Sequence, residues 1–275
     1  VKQLRDRVAV VTGAASGIGR ALSLALARKG CHLALVDVDE AGLREVAAAV
    51  EAEGRKASVH GVDVADREAM RALPERVVAE HGHVHVLVNN AGVTVDGTFE
   101  EVSLEDLDWI FGINLWGVVH GCKFFLPWLR REDEAHIVNV SSLFGIIGVP
   151  RQTAYCTTKF AVRGLSESLW CEISEDGIGV TSVHPGGVRT NIVRQARHAP
   201  GSDPQEMIEA FDRLARWSPE RAADKIVGAI ERGAPRLRIA GESYLLDWMK
   251  RLAPTLTQRL IRRGRDRVPH AERTA

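Results

Sequence analysis

"TGAASGIGR", residues Thr12 to Arg20, closes a β-prone run, "VAVVT" from Val8 to Thr12, and opens a helical pattern from about Gly17 to Lys29. Gly13, Gly17 and Gly19 stand at the spacing G-x-x-x-G-x-G, with Ser16 and Ile18 among them. Glycine lets the backbone turn tightly and approach a pyrophosphate, which then sits at the positive N-terminus of the following helix. A lone glycine triplet is a plain strand-to-helix turn. Joining the first strand to the first helix, it has the context of a dinucleotide site. Asp37 lies 18 residues beyond Gly19, at the end of the next apolar run. A carboxylate there accepts hydrogen bonds from the adenosine ribose hydroxyls and repels a 2′-phosphate. Val38 and Asp39 follow it rather than Lys or Arg, and Ser16 in the loop is uncharged, so NAD is favoured over NADP.

Outward from this loop, short Val/Ile/Leu runs alternate with longer helical patterns. After Val8–Thr12 come "HLALVD" (32–37), "ASVHGVD" (57–63), "VHVLVNN" (84–90), "AHIVNVS" (135–141), "GVTSVHP" (179–185) and "RLRIA" (236–240). Strands that are apolar throughout, separated by helices, predict a parallel sheet covered on both faces. Right-handed crossovers make it a doubly wound, seven-stranded α/β sheet of Rossmann type, with ligands at the carboxyl ends of its strands. We expect one catalytic domain over residues 1–241 and a basic amphipathic helical tail over 242–275. The stretch from Asn191 to Pro204 reads as an irregular surface excursion.

Composition excludes several roles. Acidic and basic residues balance at 36 each, so no global charge recruits nucleic acid or a membrane. The N-terminal segment lacks the apolar core of a signal peptide, and no apolar run approaches the roughly 20 residues that span a bilayer. Cys31, Cys122, Cys156 and Cys171 are far apart without metal-ligand spacing. Free thiols in a cytoplasmic protein are the simplest account.

Tyr155 and Lys159 are four residues apart, hence on one helix face. Ser142 ends the fifth strand 13 residues before Tyr155, so the sheet's carboxyl edge brings its hydroxyl toward the phenol. A free phenol has a pKa near ~10. A neighbouring ammonium and an oxidised nicotinamide ring, both positive, favour the phenolate, which can take a proton from an alcohol.

Taken together, "TGAASGIG", Asp63-Val64, "NNAG" (89–92), Asn114, Ser142, "YCTTK" and "PGGVRT" (185–190) resemble the short-chain dehydrogenases/reductases over about Asp6 to Ala240. The resemblance implies an oxidoreductase interconverting a secondary alcohol and a ketone, with Asn114, Ser142, Tyr155 and Lys159 catalytic. It implies that Lys159 also holds the nicotinamide ribose and that Asn114 helps hold a water in a proton relay. Asp63 and Val64 would lie at the adenine; Asn90, Ala91 and Gly92 beside the cofactor; Pro185, Gly186, Val188 and Thr190 around the nicotinamide amide. It further implies a homodimer or homotetramer paired through the helices near 107–129 and 154–173. An NADPH-dependent ketoacyl-type reductase and a non-catalytic nucleotide sensor are the alternatives.

His85 stands where such proteins usually carry Asp. "HGHVH" (His81, His83, His85) resembles a zinc cluster but has no Cys or acid cluster near it in sequence, so no metal is assigned. Trp109, Trp116 and Trp128 read as helix packing. Leu143, Phe144, Val149, Ile192, Met207 and Phe211 are candidate pocket residues, and their apolar character suits a hydrophobic alcohol or ketone. Arg194 and Arg197 either meet a substrate carboxylate or face water. In the tail, Leu245, Trp248, Met249 and Leu252 at helical spacing precede Pro254. Leu256, Leu260 and Ile261 then mingle with Arg259, Arg262, Arg263, Arg265 and Arg267. The tail is expected to cap the pocket or an interface, with peripheral membrane contact as the alternative.

Overall fold

Residues 1–265 are described by a computed structural model. Strands β1 (Val8–Thr12), β2 (His32–Asp37), β3 (Ala57–Gly61), β4 (Val86–Asn89), β6 (Ala135–Val140), β7 (Ile178–Pro185) and β9 (Arg236–Ile239) form one sheet, with the short strands β5 (Val95–Asp96) and β8 (Arg197–His198) apart from it. The helices are α1 (Gly17–Arg28), α2 (Glu40–Ala52), α3 (Arg67–His81), α4 (Leu104–Phe111), α5 (Gly117–Leu129), α6 (Thr153–Ile173), α7 (Pro204–Leu214), α8 (Pro219–Arg232), α9 (Gly241–Leu252) and α10 (Pro254–Arg265). A π-helical turn, Gly112–Trp116, joins α4 to α5.

The sheet order among the described residues is β3-β2-β1-β4-β6-β7-β9, parallel throughout. Because residues alternate across a strand, Ala9 and Val11 of β1 point to one layer and Val8 and Val10 to the other. The first layer packs Leu22 and Leu26 of α1 against Ile226 and Ile230 of α8, all fully buried. The second packs Met70 and Leu73 of α3 with Phe125 and Leu129 of α5. Each such side chain contributes about 1.5–3 kcal/mol of burial. Consecutive strands run outward from β1 in opposite directions, β2 on one side and β4 on the other. A crevice therefore opens beyond the carboxyl ends of β1 and β4.

The seven expected strands are all present, with ends that move by one or two residues. Two features differ from the expectation. The excursion from Asn191 to Pro204 contains β8, whose Arg197–His198 pairs in parallel with Val95–Asp96. Strands of two residues are too short to leave a periodic signal. The helical stretch Leu104–Leu129 is long and apolar enough, by length and composition alone, to cross a membrane. Here Val118, Cys122, Phe125 and Leu129 are buried against the sheet, so this apolarity serves the core.

The tail begins on the sheet. Asp247 of α9 is almost fully buried and accepts hydrogen bonds from Arg236 (3.1 Å), Arg238 (2.7 Å) and Arg251 (3.2 Å). Burial pushes its carboxyl up, but Arg251's hydrogen bond and the arginine charges outweigh that and hold it below the ordinary carboxylate range. Asp247→Ala leaves two partly buried arginines of β9 without their anion. It should destabilise the fold by about 3 kcal/mol, read as a fall in urea midpoint at pH 7. Because the folded pKa is depressed, this contribution is present above the unfolded value near ~4. It shrinks as pH falls through the folded value, so the variant's deficit should narrow in acid.

Candidate active site

The glycine loop is shaped by what surrounds it. Asn90, just past β4, donates its side-chain amide to the carbonyls of Thr12 (3.0 Å) and Gly13 (3.1 Å). The Thr12 hydroxyl accepts the backbone N–H groups of Asn90 (3.0 Å) and Ala91 (3.1 Å). A Cβ on Gly13, at φ +66°, would stand 2.8 Å from Ala91 Cα, and one on Gly19 would stand 1.9 Å from the Gly13 carbonyl oxygen. No larger residue fits either place. Gly19 lies beneath the loop, while Gly13, Ser16, Gly17 and Ile18 line the cleft above it. Thr190 approaches Gly17 from the opposite wall, which Pro185, Gly186 and Val188 continue.

Asp37 closes the far end of the cleft. Its carboxylate accepts the N–H groups of Ala15 (3.0 Å) and Asp39 (3.2 Å), which orient it toward the loop and leave acceptor capacity for a ligand. Asp63 accepts the Ala65 N–H at 2.9 Å and, with Val64, lines the same end. The donors and acceptors thus fit a dinucleotide with free ribose hydroxyls.

At the other end, the first turns of α6 carry Tyr155 and Lys159 into the wall of the cleft, opposite Ala91 and Gly92. Lys159 is 3 % exposed and donates to the Val140 carbonyl at 3.0 Å. An ammonium has three protons, and no second acceptor for them is found among the described residues. Its Nζ lies 5.6 Å from the centre of the Tyr155 ring. Burial pulls the Lys159 pKa down to about 8. Burial also pushes the Tyr155 phenol up to about 12, the nearby Ser142 hydroxyl acting in the opposite direction. Lysine alone therefore does not produce a phenolate here. Desolvation outweighs it in the free protein, where the second positive charge of the expectation, an oxidised nicotinamide ring, is not part of the balance.

Ser142 follows β6, and its hydroxyl accepts the Phe144 N–H at 3.0 Å. Asn114 sits in the π turn, fully buried. Its amide exchanges two hydrogen bonds with the Val93 backbone (2.8 and 2.9 Å) and donates to Thr158 at 3.3 Å. It lies behind Gly92, at whose α-carbon a Cβ would stand 3.3 Å from both Asn114 Oδ1 and Lys159 Nζ. Asn114 thus fixes the backbone beside the lysine but is not part of the cleft wall.

The cleft has a volume of about 2910 Å³, well above the roughly 300–1,000 Å³ of a pocket for one small ligand. Leu143, Phe144, Val149, Ile192, Met207 and Phe211 all line it. Arg194 and Arg197 do not. Arg194 pairs with Asp212 at 2.8 Å, and Arg197 pairs with Asp106 at 3.0 Å while stacking 4.0 Å over Trp109. Trp109 packs on the small cluster of Val95, Ile110 and Ala154 as expected and also lines the cleft, whereas Trp116 is exposed. The sequence did not single out Thr94 and Gln152, which bond to each other at 2.8 Å in the wall, or Glu242, which accepts the Gly187 N–H at 3.0 Å.

Among the histidines, Glu132 supplies the acid that the sequence spacing hid. Its carboxylate lies 3.2 Å from His83 Nδ1 and from His85 Nε2. His85 Nδ1 accepts the Val8 N–H at 3.1 Å, so its proton is on Nε2, directed at Glu132. That tautomer has no lone pair to offer a metal at Nε2. The ring instead joins β1, the start of β4 and the loop before β6. A carboxylate at this position would accept the Val8 N–H equally well.

The family model described as short chain dehydrogenase matches residues 7–201. The Mycobacterium tuberculosis protein SadH, designated an oxidoreductase, is 44% identical over 267 residues, covering 96% of this chain and 97% of SadH. The cyclohexanol dehydrogenase of an Acinetobacter strain is 28% identical, over 89% of this chain and 95% of that one. Among solved structures, a Burkholderia phymatum short chain dehydrogenase/reductase in complex with NAD superposes with a TM-score of 0.83. It has 27% identity and full coverage of both chains.

A buried lysine near about 8 has a testable consequence for stability. Between about 8 and the unfolded value near ~10.4 the unfolded chain binds the extra proton, so Lys159 contributes a stability that rises with pH across that window. Comparing chemical denaturation of Lys159→Met with the parent from pH 7 to 10.5, the balance should shift toward the parent by about 1–3 kcal/mol. A pH-independent difference would mean that the ammonium is not desolvated.

Proposed function

The chain belongs to the short-chain dehydrogenase family, and on that footing we propose that it is an NAD-dependent oxidoreductase interconverting a hydrophobic secondary alcohol and its ketone. The observation that carries this reading is the placement of Tyr155. A half-buried phenol, with the Lys159 ammonium 5.6 Å from its ring and Ser142 beside it, stands at the end of a cleft whose other end is a glycine loop and the Asp37 carboxylate.

The glycine loop, Asp37 and Lys159 would hold NAD, which would supply the hydride acceptor for the alcohol carbon. Tyr155 takes the hydroxyl proton at its phenolic oxygen, or returns it in the ketone direction. The Ser142 hydroxyl hydrogen-bonds the substrate oxygen and holds it in line with the phenol. Lys159 directs its remaining protons at the nicotinamide ribose hydroxyls. Asn114, through Val93 and Thr158, keeps the lysine's surroundings fixed, and the family resemblance is what supports a part for it in a water relay. Asp37 binds the adenosine ribose hydroxyls. The apolar wall of Leu143, Phe144, Val149, Met207 and Phe211 selects the substrate's bulk. The designation of one relative as a cyclohexanol dehydrogenase supports a secondary alcohol. Exposed Trp116, and Phe160 and Trp170 on α6, support a homo-oligomer paired across these helices.

A coupled assay over cyclic, aromatic and long aliphatic secondary alcohols should find NAD-dependent turnover that rises with pH as the phenol deprotonates. Tyr155→Phe should lower kcat by about 100-fold or more while NADH binding, followed by fluorescence, stays within a few-fold. Near-normal turnover in that variant would overturn the mechanism. Asp37→Ser combined with Val38→Arg should shift kcat/KM toward NADP, and a parent enzyme already preferring NADP would refute the role of Asp37.

A further inference from the structure

The α9–α10 segment has two different faces. The inner one belongs to the cleft: Leu246 and Ile261 pack against Leu143, Ile146 and Ile147, and Gln258 donates to the Gly148 carbonyl at 3.1 Å. The outer one carries Leu245, Trp248 and Leu252 on α9, at spacing i, i+3, i+7, and Leu256 and Leu260 on α10, at i, i+4. These five side chains are each between 45 and 76 % exposed. Single exposed leucines are ordinary; five large apolar groups on two consecutive helices form a patch of the kind that marks an interaction surface.

Charge identifies the occupant. The chain as a whole is balanced at 36 acidic and 36 basic residues, yet Gly241 to Arg265 carries six basic residues against two acidic ones. Both acids are engaged, Asp247 by three arginines and Glu242 by the Gly187 N–H. Arg259 and Arg263 stand three and seven residues from Leu256, on the same side of α10 as Leu256 and Leu260, and both are exposed. Leucine and tryptophan on one face with arginine along it match a helix lying in a membrane interface, where indole sits at the headgroup level. A second copy of this chain is the competing occupant. A twofold contact would set this basic face against itself, and like charges would oppose it.

We propose that the outer face of α9–α10 docks on an anionic lipid surface, Trp248 and the leucines entering the headgroup boundary and Arg251, Arg259 and Arg263 meeting the phosphates. This is independent of the oxidoreductase reading, and none of its readouts is turnover. The test is co-sedimentation of the full chain with phosphatidylcholine vesicles, with and without phosphatidylserine, at about 0.1 and 1 M salt, where screening lengths are ~10 and ~3 Å. Binding should require phosphatidylserine and be lost in high salt. Arg259→Ala combined with Arg263→Ala, and separately Trp248→Ser combined with Leu252→Ser, should each lower vesicle partitioning about tenfold or more. These side chains are exposed, so the melting temperature of both variants should match the parent, which separates lost docking from lost folding. No binding at low salt, or equal binding to neutral vesicles, would overturn the proposal. Dissociation of an oligomer by Trp248→Ser, without vesicle binding by the parent, would assign the face to a second copy instead.

Discussion

The site depends on an ammonium that the fold keeps out of water. Lys159 is held between the end of β6, whose Val140 carbonyl accepts one of its protons, and Gly92. Gly92 has no Cβ to fill the space between the lysine and Asn114. Burial pulls the lysine down to about 8 and pushes the phenol of Tyr155 up to about 12. Burial thus shifts both groups toward their neutral forms, but at pH 7 the lysine is still mostly an ammonium while the phenol is fully protonated. A phenol in that state is a poor base at neutral pH. It becomes an effective one when a positive charge enters the same desolvated space, where Coulomb interactions are stronger than in water. In this account the low dielectric that disfavours the phenolate also makes it responsive to a cationic ligand, so that proton transfer waits for the cofactor.

Most of this architecture was legible in the sequence, because the elements that build it are local. The glycine loop follows β1 directly. Tyr155 and Lys159 share a helix face, and Ser142 ends a strand whose carboxyl edge the parallel topology fixes. The strand runs were readable because a parallel sheet buried on both faces needs continuous apolar residues, as Val8 to Val11 and Val86 to Val88 supply. What was not legible is non-local or lacks a period. Glu132 reaches the histidines from the loop before β6. Asn114 occupies a π turn, which no apolar pattern announces. The Val95–Asp96 and Arg197–His198 strands owe their place to a tertiary bond network in which Arg151 binds Asp96 (2.7 Å) and Ser202 (2.6 Å). The size of the desolvation that opposes the phenolate was not legible either, because burial is not a property of sequence spacing.

The tail shows how one amphipathic segment serves two surfaces. Asp247, buried among three arginines, fixes the angle at which α9 leaves the sheet, and α10 then folds back over Gly148. Leu246 and Ile261 complete the apolar wall of the cleft. Glu242 holds the Gly186–Gly187 turn that faces the glycine loop. Residues far from Tyr155 in sequence therefore help to shape both ends of the cleft. Arg267, which the sequence groups with the tail's basic residues, lies outside the described residues.

The chain has two tyrosines, Tyr155 and Tyr244, so a Tyr244→Phe background leaves one phenol to follow. Its ionisation can be read directly from tyrosinate absorbance, without turnover. In the free protein the phenol should titrate well above the ordinary value near ~10, at about 12. Saturation with NAD should lower that midpoint by more than a unit, and reduced NADH, whose ring is uncharged, should lower it less. A midpoint already near neutrality without cofactor, or one that NAD leaves unchanged, would contradict a cofactor charge that makes the half-buried phenol a base.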